Sequence, residues 1–214
     1  MALARVDSNN KQKRRRVGDR HPLSAFSFSK LTDMNIVVYC SSIDNLPAEW
    51  QNAAAAVGQW IGENGAQLVY GGVNSGLMRI VAQATKDAGG KVVGIVPARR
   101  RHHASPLNDI KVPTSDLNDR KGVMQMLGDL FVVLPGGYGT LDEFTTSFSY
   151  LNFTMQRRPI IVHNADGIFD PILAQLHRMA DLKLMQVDCL SIITETHTTD
   201  ELIAAINALA HDQK

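Results

Sequence analysis

Only two cysteines, Cys40 and Cys189, occur in 214 residues. That excludes a disulfide scaffold, and no CxxC pair offers a zinc site. No stretch approaches the roughly 20 consecutive apolar residues that a membrane helix requires. No early apolar run is long enough for the h-region of a signal peptide. A reduced, cytoplasmic setting with no membrane partner is the simplest reading. Two common nucleotide signatures are also missing. No glycine loop ends in the Gly-Lys-Ser/Thr that a triphosphate with magnesium needs, and there is no GxGxxG. Metal-ligand spacing is absent too, since the adjacent His102 and His103 do not face one ligand on a helix. Neither a metal nor a cofactor is expected.

What is present is ordinary in bulk and uneven in detail. Hydrophobic residues make up 44% and charged residues 20%, as in a globular chain able to bury a large core. Met1–Asp33 holds eight Lys or Arg against three Asp, which leaves that stretch at +5 and the remainder at −4 of the net +1. A mildly acidic body is a poor nucleic-acid binder, so no such partner is expected. Residues 1–33 lack helical and strand periodicity, and like charge with low hydrophobicity predicts disorder. The run Lys11–Arg16 reads either as a nuclear or nucleic-acid patch or as a solvated tail, with Met34 as the true initiator. The abrupt onset of pattern at Asn35 favours the second reading, with residues 34–214 as one domain.

From Asn35 short apolar runs alternate with longer amphipathic stretches. Strands are expected at Asn35–Cys40, Gln67–Tyr70, Lys91–Val96, Leu130–Leu134, Pro159–His163 and Ser191–Thr194. Helices are expected at Pro47–Glu63, Gly76–Ala88, Leu117–Leu127, Thr140–Phe153, about 168–179, and Thr199–Ala210. Pro47 suits a first helical turn. Arg99–Pro113 shows no clear period and reads as a loop, with a short strand at Ile110–Val112. Such alternation predicts an α/β fold: a Rossmann-like, doubly wound parallel sheet with helices on both faces. Continuous apolar runs such as Phe131-Val132-Val133-Leu134 fit strands covered on both sides. Ligands in these sheets sit beyond the carboxyl ends of strands. The places to search are therefore Cys40–Ser42, Gly71–Gly76, Pro97 onward and Pro135–Glu143.

The last of these carries the most chemistry. Pro135-Gly136-Gly137-Tyr138-Gly139-Thr140-Leu141-Asp142-Glu143 follows a buried strand and opens a helix. Glycines permit a tight turn and close approach of a ligand, and free N–H groups at a helix start favour a phosphate. Thr140 is placed to cap the helix and to donate to a phosphate oxygen. Asp142 and Glu143 are read into the first turn, where dipole complementarity alone accounts for Asp142. A monophosphate without metal fits this loop. Gly71–Met78 is a second glycine-rich turn, and two such loops at one sheet edge can wrap a nucleotide. Arg120 offers a guanidinium for a phosphate, a ribose or a carboxylate, whereas Lys121 fits a solvated helical face. Met124, one turn beyond Arg120, is a candidate for the base or for the core. Ser149 and Tyr150 either line the pocket or a dimer seam, and Tyr138 either shields the site or sits at a loop tip. Arg99–Arg101 reads either as a lid on the phosphate or as a solvated loop.

Together the PGGxGTxxE run, the Arg120-Lys121 pair and the GG…GLM turn resemble the LOG (LONELY GUY) family, from about Asn35 to Ala210. These are cytokinin riboside 5′-monophosphate phosphoribohydrolases, often labelled lysine decarboxylases. The resemblance implies a Rossmann-like homodimer that cleaves the N-glycosidic bond of a nucleoside 5′-monophosphate, giving free base and ribose 5-phosphate. By motif position Glu143 matches the family's catalytic glutamate and Arg120 its catalytic arginine. Gly136, Gly137, Gly139 and Thr140 match its phosphate loop, and Lys121 the second member of the Arg-Lys pair. With Tyr138, Leu141, Asp142, Gly72, Ser42, Met124 and Ser149, these are the expected site residues. The chemistry agrees, because glycosidic cleavage develops positive charge on the sugar that a carboxylate stabilises, or that a water it activates attacks.

This chain departs from the family pattern at Val73, where a third glycine is usual, and at Arg79, where a glycine often follows GLM. Its first strand ends Cys40-Ser41-Ser42 rather than Cys-Gly-Ser-Ser. Arg99–His103 stands where an acidic residue often helps to bind substrate, with no acid until Asp109. Two other functions compete: a non-catalytic nucleotide carrier on the same fold, and a pyridoxal-dependent decarboxylase. The latter needs a lysine for a Schiff base, and Lys121 is the only lysine near a motif.

Overall fold

A computed structural model describes residues 34–211; the expected basic tail at 1–33 lies outside the described residues. Seven strands form one sheet: β1 (Asn35–Tyr39), β2 (Gln67–Tyr70), β3 (Lys91–Pro97), β4 (Ile110–Thr114), β5 (Leu130–Val133), β6 (Ile160–His163) and β7 (Ile193–Thr196). Their order is β4-β3-β2-β1-β5-β6-β7, and every neighbouring pair is parallel. Between them run α1 (Ala48–Glu63), α2 (Gly76–Asp87), α3 (Leu117–Leu127), α4 (Tyr138–Phe153), α5 (Asp170–Asp181) and α6 (Thr199–His211).

Strand side chains alternate between faces, so the sheet divides the core in two. Ile36, Val38, Leu68 and Val132 face α1, α2 and α6, packing on Val57, Leu77 and Leu202. Val37, Val69, Phe131 and Val133 face α3, α4 and α5, packing on Met124, Phe144 and Leu173. This is the expected α/β fold, helices on both faces included. α1 leaves β1 on one side and α4 leaves β5 on the other, although β1 and β5 are neighbours. A crevice opens at such a reversal, beyond the carboxyl ends of the strands. α1 and α2 sit unusually close: a Cβ on Gly58 would come within 2.4 Å of the Val81 carbonyl oxygen.

Several boundaries differ from the sequence expectation. Pro47 is the N-cap of α1 rather than part of its first turn. Residues 98–103, expected as loop, form a 3₁₀ turn, and the strand after it, β4, extends to Thr114. α5 starts at Asp170, because Asp166 and Gly167 adopt left-handed backbone (φ 55° and 68°) and break the helix there. Residues 187–192 form a 3₁₀ turn, which delays the last strand to Ile193. No helix of the described residues is long and apolar enough to cross a membrane.

The Gly71-Gly72 turn after β2 secures the segment that follows β3. Gly72 has φ +72°, and its carbonyl accepts from Ser105 N at 2.7 Å and Asn108 Nδ2 at 3.1 Å. Tyr70 donates its hydroxyl to Asn108 Oδ1 at 2.7 Å, and Val73 bridges Ala104. Gly72→Ala places a Cβ 2.4 Å from Val96 Cγ2 in a backbone region that L residues disfavour. We expect a loss of about 2 kcal/mol or more in urea unfolding; a change below about 0.5 kcal/mol, the scale of ordinary surface substitutions, would contradict this reading of the turn.

Candidate active site

At the switch point, β5 runs into Pro135-Gly136-Gly137 and then directly into α4. Gly137 is the N-cap, with φ −89° and ψ −158°. The helix therefore begins two residues before Thr140. This corrects two expectations. Thr140 is the third helical residue rather than the cap, and no cap hydrogen bond from a side chain is made. Asp142 and Glu143 fall beyond the first turn, where the helix dipole has little hold on them. The buried Thr140 hydroxyl folds back beneath Gly136, where a Cβ would lie 2.1 Å from Thr140 Oγ1.

The first intrahelical bond is Leu141 N to the Gly137 carbonyl, at 3.0 Å. Among the described residues nothing accepts from the amides of Tyr138, Gly139 or Thr140. A Cβ on Gly137 or Gly139 would meet no atom within 4 Å, and neither residue has positive φ. Neither packing nor backbone strain demands glycine at those two positions.

The second glycine-rich turn behaves differently. At the start of α2, Gly76 N donates to Asp44 Oδ1 at 3.1 Å, and Leu77 N and Met78 N donate to the Ser41 carbonyl at 3.0 and 3.4 Å. Those amides are occupied within the protein. The two loops thus do not form a matched pair of anion cradles. Gly72 lies behind Val73, with its carbonyl engaged, and does not line the cavity.

Arg120 and Glu143 meet at the centre. Asp116 caps α3, accepting from Asn118 N at 2.8 Å and Asp119 N at 2.9 Å, and so fixes the turn that carries Arg120. Arg120 Nη2 bonds Glu143 Oε1. The glutamate side chain is 4% exposed and the arginine side chain 14%. Arg120 Nε is buried with no acceptor among the described residues. A Cβ on Gly71 would approach Arg120 Nη1 to 3.2 Å, so the bare backbone there gives the guanidinium its space. Burial raises the Glu143 carboxyl to about 7, outweighing the lowering by the Arg120 charge. On the outer side of the same two helices, Lys121 Nζ bonds both Asp142 oxygens at 2.9 and 2.7 Å and holds that carboxyl below its usual range. Two ion pairs therefore lace α3 to α4, one inside the site and one at its rim.

A cavity of about 260 Å³ lies against this pair. Of the residues singled out from sequence, Ser42 beyond the end of β1, Tyr138, Gly139, Thr140, Arg120 and Glu143 all line it. Other expected residues lie elsewhere. Met124 is fully buried against the underside of the sheet, because α3 lies flat on it and the next turn points into the core. Ser149 is exposed, since six residues beyond Glu143 on a helix is the far face. Leu141 is also exposed, while Lys121 and Asp142 form the rim. Arg100, read either as part of a lid or as solvated, lines the cavity, and sequence reasoning missed Ile43 and Leu117 as lining residues. It also missed the buried contact of Tyr39 OH with Ser147 Oγ at 2.8 Å, one turn after Glu143. The one available signal was the i, i+4 spacing of Ser147 from Glu143. Cys40 lines the cavity, but burial pushes its thiol up, away from the nucleophilic form.

Residues 78–206 match the family described as possible lysine decarboxylase. A cytokinin riboside 5′-monophosphate phosphoribohydrolase of Oryza sativa subsp. japonica is 33% identical over 171 residues, covering 78% of this chain and 70% of that one. Another so named, from Arabidopsis thaliana, is 29% identical over 187 residues, covering 86% of each. Among solved structures, the molybdenum cofactor binding protein of Rippkaea orientalis superposes with a TM-score of 0.65 at 24% identity, covering 83% of this chain and 97% of that one. That likeness shows the fold.

The raised carboxyl has a consequence for stability. Between about 4.5 and about 7 the folded chain holds the Glu143 proton more tightly than the unfolded chain does. This group's contribution is therefore fully present below that window and declines as pH rises through it. Urea unfolding at pH 5 and pH 8, for the wild type and Glu143→Gln, measures the difference. We expect the wild type to lose more stability than the variant, by roughly 1–3 kcal/mol; equal slopes would show that burial does not raise the group.

Proposed function

This chain belongs to the LOG family, the one whose model is described as possible lysine decarboxylase, and from that premise we propose that it hydrolyses the N-glycosidic bond of a nucleoside 5′-monophosphate. The observation that carries this reading is a buried carboxylate, Glu143, bonded to Arg120 beside a helix start whose three amides are unoccupied among the described residues. In this reading the 5′-phosphate takes the amides of Tyr138, Gly139 and Thr140. The open space at Gly137 and Gly139 is room for its oxygens, which explains glycine where the fold does not require it. The ribose then lies between Arg120 and Glu143, and the unpartnered Arg120 Nε donates to a sugar oxygen.

The bond from C1′ to the base nitrogen breaks with its electron pair leaving on the base. Positive charge develops at C1′ and its ring oxygen, and ionised Glu143 stabilises it. Water adds its oxygen to C1′ and passes a proton to Glu143, which returns it to the departing base. A carboxyl held near neutrality suits both halves of that transfer. Arg120 keeps the carboxylate oriented through its direct bond, and phosphate binding, remote from C1′, supplies orientation.

The family description raises a pyridoxal-dependent alternative, which the residues do not fit. Among the described residues no lysine lines the cavity, and Lys121 Nζ is committed to Asp142 at 2.7 Å. The remaining rival is a carrier without chemistry, since the Rippkaea orientalis protein of the same fold is a molybdenum cofactor binding protein. Burying a carboxylate is unfavourable, and a carrier has no use for one beside the sugar. The geometry therefore favours the enzyme.

Chromatography of AMP and of a prenylated AMP, incubated with the chain and no added metal, tests the reading. Release of free base by the wild type, reduced about 10³-fold or more in Glu143→Gln with phosphate binding retained, is expected. Near-normal turnover in the variant would refute the role of Glu143, and binding without any release would transfer the case to the carrier.

A further inference from the structure

The proposed hydrolysis leaves the basic turn after β3 unexplained. Arg99, Arg100 and Arg101 are consecutive and exposed. Arg79, Arg120 and Arg157 each meet a carboxylate, whereas among the described residues these three meet none. Adjacent guanidiniums repel one another, and a bound anion relieves that repulsion. The turn is also held in place rather than free. β3 pairs with β4 up to Pro97 and Thr114, and Ser105, fully buried, donates its amide to the Gly72 carbonyl at 2.7 Å just beyond the turn. The strand register and the Gly72 anchor thus fix where the cations stand.

They stand over a groove of about 400 Å³ lined by Pro97, Arg99, Arg100, Ser115, Asp116 and Leu117. Arg100 and Leu117 also line the cavity of Arg120 and Glu143, so the groove borders that cavity. Asp116, which also lines the groove, makes no ion pair with the arginines among the described residues; its Oδ1 accepts from the Asn118 and Asp119 amides at 2.8 and 2.9 Å. Ser115 is likewise turned to Asp119, at 2.8 Å through its amide and 2.9 Å through its hydroxyl.

We propose that this groove is a second anion subsite, so that the preferred ligand is a nucleoside 5′-monophosphate bearing a further phosphate or carboxylate on the part remote from its 5′-phosphate. The inference rests on the reading of Tyr138–Thr140 as the 5′-phosphate site. Guanidiniums bind either group by paired N–H donors.

Calorimetry in the Glu143→Gln background, at low salt, compares three probes: AMP, adenosine 3′,5′-bisphosphate, and AMP with a succinyl group on its base amine. One of the two dianion-bearing probes should bind about tenfold tighter than AMP, with the gain reduced by salt. The probe that gains shows whether the second anion sits on ribose or base. Arg99→Ser should remove the gain and leave AMP affinity unchanged. Equal affinities for all three probes, or a gain that survives Arg99→Ser, overturns the subsite. Adenine release by the wild type is scored separately. Release without any gain refutes the groove alone, and an Arg99-dependent gain without release refutes the hydrolytic reading alone.

Discussion

Two helices from the same side of the sheet meet through one buried ion pair, Arg120 with Glu143. Removing a carboxylate and a guanidinium from water is costly, and their attraction offsets that cost only when the geometry is closely held. Much of the surrounding structure supplies that hold. Asp116 caps α3 one turn before the arginine. Gly71 leaves the guanidinium its space, and Lys121 with Asp142 laces the same helices at the rim. Beneath, Tyr39 at the end of β1 bonds Ser147 on α4 at 2.8 Å, tying Glu143's helix to the strand at the switch point. Burial outweighs the arginine's charge and raises the carboxyl to about 7, and Arg120 Nε is left without an acceptor among the described residues. A group with those properties is poised for proton traffic rather than for stability.

The two glycine-rich turns show how similar sequence can serve different ends. Both follow a strand and open a helix. The amides at the start of α2 are consumed by Ser41 and Asp44, and Gly72 holds the segment after β3. Of the two, the turn before α4 leaves its amides free among the described residues and Gly137 and Gly139 facing open space. The first turn builds the wall of the site, and the second presents the donors.

Much of this was legible in the sequence. Apolar runs such as Leu130–Val133 are long enough and uniform enough to declare strands covered on both faces, and their alternation with helices dictates a parallel sheet. PGGYGTLDE placed Glu143 and the loop, and the Arg120-Lys121 pair placed the arginine. The rest depended on distances that spacing does not encode. Helix α4 starts at Tyr138 because the Gly136–Gly137 turn closes earlier than a Thr cap would suggest. Met124 shares a helical face with Arg120, yet it points into the core because α3 lies flat on the sheet. The turn at 98–103 has no period of its own; β3 and Gly72 impose its position from outside.

The central claim is that one ligand spans the α4 amides and the Arg120–Glu143 pair. The most direct measurement is a crystal structure of Glu143→Gln soaked with AMP. The account predicts the 5′-phosphate on the amides of Tyr138, Gly139 and Thr140, with C1′ facing residue 143. A phosphate seated on Arg99–Arg101 instead, with the α4 start empty and the ribose away from residue 143, would contradict it.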